Sequence, residues 1–464
     1  MTDGTTNPRR WWILMATSGV LGLVVLDETV VGVALPTIQR DLAMSQAGSH
    51  WVVNAYLLSF TCFVALGGRL GDMFGRGRLF LSGIALVGLG SLAAGIAPAA
   101  WVLLAARALQ GLGAAMVFPA GFALATSLFR PEERGLAFGL QTTIAAVFMA
   151  SGPVVGGYFT EAISWRWIFW VNLPAVAAIT GVVWFAWLPT LDRTVPPSIE
   201  RGPRFDIGGL AALVVGLTAF TVGLMQGSDW GWGTPPTLAC LVGGLAILAL
   251  FVVLELKRAA PLIALDLLRI PAFSGGVAIF FVFQFNKIVV FVFLPLYLQK
   301  AMGYSPVASG LPLLLAILPT LVTSLLAGKS ADRVGPRRLI LFGLAVNGAA
   351  LVALAVAAAS GSYPAIVVAL LFWGSVLPFM AVVARRTLMS AVPPAQQGQA
   401  SGVNLTLQMT GGTMGLALAT TVLAATGAFP PVFAMTGFLV LAMLPVAWCA
   451  IEGAPGTAGL SKAG

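Results

Sequence analysis

The stretch GGRLGDMFGRGR at residues 67–78 decides how this chain is read. It lies between two long apolar runs, and at residues 328–338 the chain reads GKSADRVGPRR. The two align without gaps on Gly68/Gly328, Asp72/Asp332, Gly75/Gly335 and Arg78/Arg338, every pair 260 positions apart. Glycine permits the positive φ of a tight turn, and charges at a membrane surface stay in headgroups or water. One such turn asks for nothing beyond joining two helices. Two at a single spacing predict a duplicated unit.

Composition sets the solvent. Of the residues 59% are hydrophobic and 9% charged, with a mean hydropathy of +0.96, whereas a soluble chain carries roughly 25% charged residues. A membrane span needs about 20 apolar residues at ~1.5 Å rise each. Apolar runs fall at about 11–36, 50–68, 79–97, 101–127, 135–160, 167–188, 206–226, 236–256, 271–299, 306–328, 338–359, 362–384, 398–426 and 429–451. These predict fourteen transmembrane helices, since long uninterrupted runs are helices rather than barrel strands.

Charge placement gives the topology. If the N-terminus is cytoplasmic, Arg40, Arg166 and Lys300 fall outside, Arg107 and Lys287 lie within spans, and the other twenty of the 25 Lys and Arg fall inside. That bias predicts a multi-pass protein of the cell membrane with both termini in the cytoplasm. The net charge of +9 is then topology, and nucleic-acid binding is not needed to explain it. MTDGTTNPRR followed directly by a span reads as a retained signal anchor. Cys62, Cys240 and Cys449 lie in apolar runs without CxxC spacing, and His50 is the single histidine, so no metal site or cofactor is expected. Trp11, Trp12, Trp51, Trp101, Trp187 and Trp230 sit near span ends as interfacial anchors, whereas Trp373 lies deep in span 12. The repeated turn follows the second span of each six-helix unit. The expected organisation is therefore a six-helix bundle over 1–188, linkers with two inserted helices over 189–270, and a second six-helix bundle over 271–464.

The motifs, taken together and in order, resemble the 14-helix drug:proton antiporters of the major facilitator superfamily. GGRLGDMFGRGR is similar to the superfamily's loop motif between helices 2 and 3, and LLAARALQGLGAA (103–115) to the helix 4 motif with its central arginine, here Arg107. SGPVVGG (151–157) resembles the antiporter motif of helix 5, LDETVVGVALP (26–36) the helix 1 signature, and WRWIFWVNLP (165–174) the start of helix 6. Gly32 stands where the helix 1 signature usually has Asn, Glu28 adds a second acid, and Met73 and Gly77 depart from the loop motif. The resemblance implies an all-α integral membrane fold of two six-helix bundles plus two inserted helices. It also implies that the first and fourth helices of each unit, here spans 1, 4, 9 and 12, line a central cavity.

A charge at the centre of a span costs ~2.5–3.5 kcal/mol on insertion scales, so each is a functional candidate. These are Asp27 and Glu28 in span 1, Arg107 in span 4 and Lys287 in span 9. All lie on spans that the resemblance assigns to the cavity. Asp27 and Glu28, about 100° apart around a helix, cannot face one point. A carboxyl that alternates between a dry and a wet environment can bind and release a proton. Asp27, with Glu28, is the expected proton or cation-interacting acid, and helix-to-helix bonding is the competing reading. Arg107 either relays protons, as the resemblance implies, or pairs structurally. Lys287, with Gln284 on its face, is either a counter-charge to the span 1 acids or a contact for an anionic or zwitterionic substrate. Trp373 joins the substrate candidates. Gly152, Pro153, Gly156 and Gly157 clear one face of span 5 for close helix approach. Gly68, Asp72, Gly75, Arg76 and Arg78, with Asp332 in the second copy, are expected to latch the cytoplasmic side, Asp72 and Asp332 lying where a helix begins; turn formation alone is the plainer alternative.

The expected function is proton-coupled efflux of a lipophilic small molecule by alternating access about a midplane site. The chain would act as a monomer in the bilayer, with substrate and protons as its partners. A proton-coupled transporter of one metabolite, including uptake, is the nearer rival; a lipid enzyme or a channel is the remoter one. No GxxxxGK[ST] loop is present, so ATP is not the expected energy source.

Overall fold

The computed structural model describes residues 10–127, 129, 133–186, 206–258, 261, 263–393 and 396–451. Among the described residues fourteen long helical segments follow one another, with a 3-10 turn at Leu265–Arg269 between the eighth and ninth. They are α1 (Arg10–Asp41), α2 (Gln46–Phe74), α3 (Arg76–Gly95), α4 (Ala100–Ser127), α5 (Arg134–Ala162), and α6, which is Trp167–Trp170 continued by Asn172–Ala186. Next come α7 (Ile207–Trp230), α8 (Pro235–Lys257, with a π-helical stretch at Ala239–Gly243), α9 (Pro271–Lys300), and α10 as Pro306–Ile317 continued by Thr320–Val334. Then follow α11 (Pro336–Ser360), α12 (Tyr363–Ser390), α13 (Gln397–Thr426) and α14, Pro430–Leu441 continued by Met443–Ala450. Thirteen of these, all but α2, were found long and apolar enough to cross a membrane among the described residues; α2 itself runs for 29 residues. Hydrocarbon offers no partner for a free backbone N–H or C=O, which is why each span is helical.

Local sequence sets the helix ends. Ser45 and Ser305 accept from the backbone N–H of Gly48 and Ala308 and so cap α2 and α10. Pro271, Pro306, Pro336 and Pro430 occupy the first helical turns of α9, α10, α11 and α14, where no N–H partner is lost. Leu318 and Pro319 interrupt α10. Asp206 caps α7 through Gly209 N (2.6 Å) and pairs with Arg258 at the end of α8, while Glu255 accepts from Ile263 N at 2.8 Å, so the two inserted helices are tied at one end.

The repeat is visible in the backbone. Gly75 and Gly335 adopt φ +90°, ψ 130° and φ +88°, ψ 148°, and each separates two helices by itself. Ala43 and Gly303, again 260 apart, are both at positive φ, and the caps Ser45 and Ser305 keep the same offset. The quoted stretch is thus not a loop of twelve residues. α2 continues through Phe74, and the break is Gly75 alone, because one residue in the left-handed region is enough to redirect a helix. Asp72 and Asp332 accordingly sit in the last turns of α2 and α10, not where a helix begins. The side chains of Asp72, Arg76 and Asp332, and what Gly68 packs against, lie outside the described residues, whereas Arg78 is exposed.

Packing repeats with the same relation. The pairs α1·α5, α2·α4, α3·α4, α3·α6 and α1·α6 recur as α9·α13, α10·α12, α11·α12, α11·α14 and α9·α14. Across the two groups, α2 packs on α13 and α5 on α10, and α1 crosses α9. Exchanging the groups maps each of these contacts onto the other. The inserted α7 packs on α8 and stands against α13 and α2, at the α2–α13 seam. Thr421 Oγ1 donates to Leu224 O at 2.8 Å, and Asn54 Nδ2 lies 2.8 Å from the sulfur of Met225, fastening α7 there.

The α1–α9 crossing accounts for the departure in the helix 1 signature. A Cβ built on Gly32 would overlap Phe291 O of α9. The substitution Gly32→Asn, which restores the usual residue, is expected to push α1 off α9 and to lower the unfolding temperature of the purified protein; unchanged melting would refute the close crossing.

Trp12, Trp101 and Trp230 are exposed, as interfacial anchors would be. Trp187 and the linker residues 189–205 fall outside the described residues.

Candidate functional site

α1 packs along α9 of the other group, and its two acids divide between the groups. Asp27 pairs with Arg107 of α4, inside its own group. Glu28 pairs with Lys287 of α9, in the other group, at 2.7 Å. The 100° between consecutive helical residues makes this division possible. Counted at the repeat offset, Lys287 occupies in α9 the place that Asp27 occupies in α1, so equivalent positions carry opposite charges.

All four groups are deep: Asp27, Glu28, Arg107 and Lys287 are 4%, 3%, 0% and 6% exposed. Charges so far from water are tolerated when paired and hydrogen-bonded. Arg107 meets that demand through Nε and Nη1, while its Nη2 and Asp27 Oδ1 are buried without a hydrogen-bond partner. Its Nε donates to Val52 O (2.8 Å), its Nη1 donates to Asp27 and to Gln110 Oε1 (2.8 Å), and its guanidinium lies 4.5 Å over the Tyr56 ring and 5.7 Å over that of Phe169. Gln110 Nε2 continues to Ser91 Oγ (2.9 Å), to which Asn172 Nδ2 also donates at 3.4 Å. A polar chain therefore runs from α1 through α4 and α3 to α6. Around Glu28 the second donor is Gln284 Nε2 at 3.3 Å.

Of the candidates drawn from the sequence, Asp27 and Arg107 meet, and Glu28, Lys287 and Gln284 meet. Trp373 stands apart. It is fully buried, donates from Nε1 to Asn286 Oδ1 at 2.8 Å, and packs edge-on against Phe291. Asn286 in turn donates to Val282 O, and Asn347 donates to Trp373 O at 3.3 Å. Tyr56, Gln110 and Asn286 were not singled out in the sequence, although a polar residue inside a span is itself a signal. His50, near the start of α2, is fully buried. Its Nδ1 lies 2.7 Å from Thr420 Oγ1 of α13, and its ring packs on Phe293 of α9. Proximity in sequence to a helix end does not imply exposure where a second helix covers that end.

The glycine run of α5 serves two faces rather than one. Cβ atoms on Gly152 and Gly156 would strike Thr29 and, at 2.6 Å, Val30 O of α1. A Cβ on Gly157 would fall 2.7 Å from Val307 Cα of α10, and Pro153 packs against Gly310 of that helix. Positions 152 and 156 share one face and 153 and 157 the next, so the motif joins α5 both to its own group and to the other. Further bonds close the same end of the bundle: Gln299 Nε2 to Val33 O (2.8 Å), Lys300 Nζ to Gln39 Oε1 (2.6 Å) and Val307 N to Glu161 Oε2 (3.2 Å). Just outside this seal, Gln39, Arg40, Gln299, Lys300 and Tyr304 line a cavity of about 620 Å³.

Gly157→Leu is expected to open this seam. A Cys at Val307 in that background should react at least ~10-fold faster with a membrane-impermeant maleimide, equivalent to about 1.4 kcal/mol of lost closure. Equal reaction rates would show that the seam does not depend on the small residue.

The sequence profile of the Major Facilitator Superfamily matches residues 17–416, and also 276–463. The chain belongs to this superfamily. It is 37% identical over 423 residues to the puromycin resistance protein of Streptomyces alboniger, covering 90% of this chain and 82% of that one. Identity is 34% over 413 residues to the multidrug resistance protein Stp of Mycobacterium tuberculosis (89% and 75% covered) and likewise 34% to the cephamycin export protein of Amycolatopsis lactamdurans (86% and 82%). The crystal structure of a D-xylose–proton symporter superposes with a TM-score of 0.68 at 15% identity, over 95% of this chain and 98% of that one. At that identity the likeness is one of fold. The chain is thus an all-α, multi-pass membrane protein of a transporter family.

Proposed function

We propose that the protein exports lipophilic small molecules, drugs or antibiotic-like metabolites, in exchange for protons. The observation that carries this reading is the division of two adjacent buried acids, Asp27 to Arg107 within one group of helices and Glu28 to Lys287 across both. A proton or a substrate that displaces either cation changes how α1 is held, and for Glu28 it changes how the two groups are held together. Relatives named for puromycin resistance, multidrug resistance and cephamycin export support efflux as the direction.

On this reading residues 1–188 and 271–464 are the two rocking bundles and 189–270 carries the inserted pair. Both termini face the cytoplasm, the sealed end bearing the α1–α2 turn faces outward, and one chain in the cell membrane suffices. The site becomes accessible to each side in turn. Asp27, Glu28, Arg107, Lys287 and Gln284 handle proton and substrate, and Trp373 supports α9 from behind through Asn286. Gly75 with Gly68, Asp72, Arg76, Arg78 and Asp332 forms the cytoplasmic latch, and Gly152, Pro153, Gly156 and Gly157 the outer seam.

The test is expression in a pump-deficient host, scoring resistance and accumulation across puromycin, dyes and other lipophilic compounds, with and without a protonophore. Resistance that disappears with the proton gradient is expected. No resistance to any compound, or accumulation that rises on expression, would overturn the reading in favour of metabolite uptake.

A further inference from the structure

The face of α13 turned to α9 carries polar groups that the account above leaves unused. Gln284 Oε1 accepts from Gln408 Nε2 at 3.5 Å, while Gln284 Nε2 donates to Glu28 Oε2 at 3.3 Å. An ionised carboxylate only accepts, so it turns the nitrogen of Gln284 towards itself and leaves the carbonyl oxygen for Gln408. That oxygen in turn draws the nitrogen of Gln408. The polarity of the whole column is therefore set by Glu28, and its far end is the carbonyl oxygen of Gln408.

This oxygen is buried without a donor. Asn404 lies one turn earlier on the same face, and its Oδ1 is also buried without a donor, as is Thr406 Oγ1 nearby. Gln408 and Asn404 are 8% and 2% exposed, so bulk water does not repair the deficit. In the opposite direction Gly411 and Gly412 follow, and with no side chain there α9 comes close enough for Gln284 to pack on Gly412. Two carbonyl acceptors about 6 Å apart along the axis thus lead directly to the Glu28–Lys287 pair.

We propose that Gln408 and Asn404 form a subsite that reads N–H or O–H donors on the exported compound. The inference rests on the export reading and deepens it, by naming what the substrate presents to α13. A compound with donors satisfies both oxygens. A compound without them leaves both stranded, and a site built to hydrogen-bond rejects such analogues strongly. Because Glu28 orients Gln408 through Gln284, the subsite presents an acceptor while Glu28 is ionised, which connects the proton acceptor to substrate choice through three groups in hydrogen-bonding order.

The test uses the full-length protein in lipid nanodiscs and two lipophilic cations of equal charge, ethidium, which carries amine N–H donors, and tetraphenylphosphonium, which carries none. Gln408→Met and Asn404→Leu are expected to weaken ethidium binding about tenfold each and to leave tetraphenylphosphonium within about twofold. Gln408→Glu, which keeps an acceptor at that position, should retain ethidium binding and controls for misfolding, together with the melting temperature of each variant. Parallel changes for both cations, no change for either, or absence of ethidium binding to a wild-type protein that exports other compounds would each overturn the proposal. Failure of the export reading shows separately, as a wild-type chain that confers resistance to nothing.

Discussion

Arg107→Met is expected to abolish export and to destabilise the protein measurably. The guanidinium is fully buried, holds Asp27, Gln110 and a backbone carbonyl of α2, and lies over two aromatic rings. Removing it strands the Asp27 carboxylate 4% exposed, and breaking a buried pair by deleting one partner costs about 3–5 kcal/mol. The loss should appear in thermal unfolding of the detergent-purified variant. Asp27→Asn combined with Arg107→Met leaves no charge stranded, so most of the melting temperature should return. Export should not, because the protonatable acid is gone. Export restored in the double variant would reduce the pair to packing, and an unchanged melting temperature in Arg107→Met alone would refute the pair itself.

The second large effect is expected at Lys287. Lys287→Met leaves Glu28 buried between the two groups of helices with only the amide of Gln284 for company. Flux of an exported compound into proteoliposomes under a pH gradient should fall by about 100-fold, the equivalent of ~3 kcal/mol. The reciprocal swap, Glu28→Lys with Lys287→Glu, separates two causes. It rebuilds the ion pair, so the melting temperature should recover. It also moves the acid to α9 and points the amide column of Gln284 at a cation, so coupled flux should stay low. A swap that restores flux as well would mean that any ion pair at this crossing suffices. A Lys287→Met variant with unchanged flux would remove Lys287 from the site.

How much of this was legible beforehand depended on the length scale of each signal. The repeat was written in residues whose backbone demands are local: Gly75 and Gly335 must both take positive φ, and four matching positions betrayed them. The deep charges were legible because hydrocarbon makes any charge conspicuous. Their partners were less so. That Asp27 and Glu28 diverge follows from helical geometry, but which cation each takes depends on the crossing of α1 with α4 and α9. The reason for Gly32 lay in a backbone oxygen of Phe291, 259 residues away. His50, Gln408 and Asn404 were hidden for the same reason, because their burial is decided by what another helix places on them. The end of α2 was misread because Gly-rich and charged sequence resembles a loop, whereas a helix emerging into headgroups keeps its hydrogen bonds and stops only where one residue turns.

The placement of α7 breaks the likeness between the two flanks of the molecule. Two equal six-helix units produce two equivalent flanks, and a molecule dissolved in the bilayer would meet the same obstacle on either. With α7 fastened to α13 and α2, and α8 packed on α7, the α2–α13 flank carries a layer that the described residues do not place on the α5–α10 flank, so the surrounding lipid meets two unlike edges.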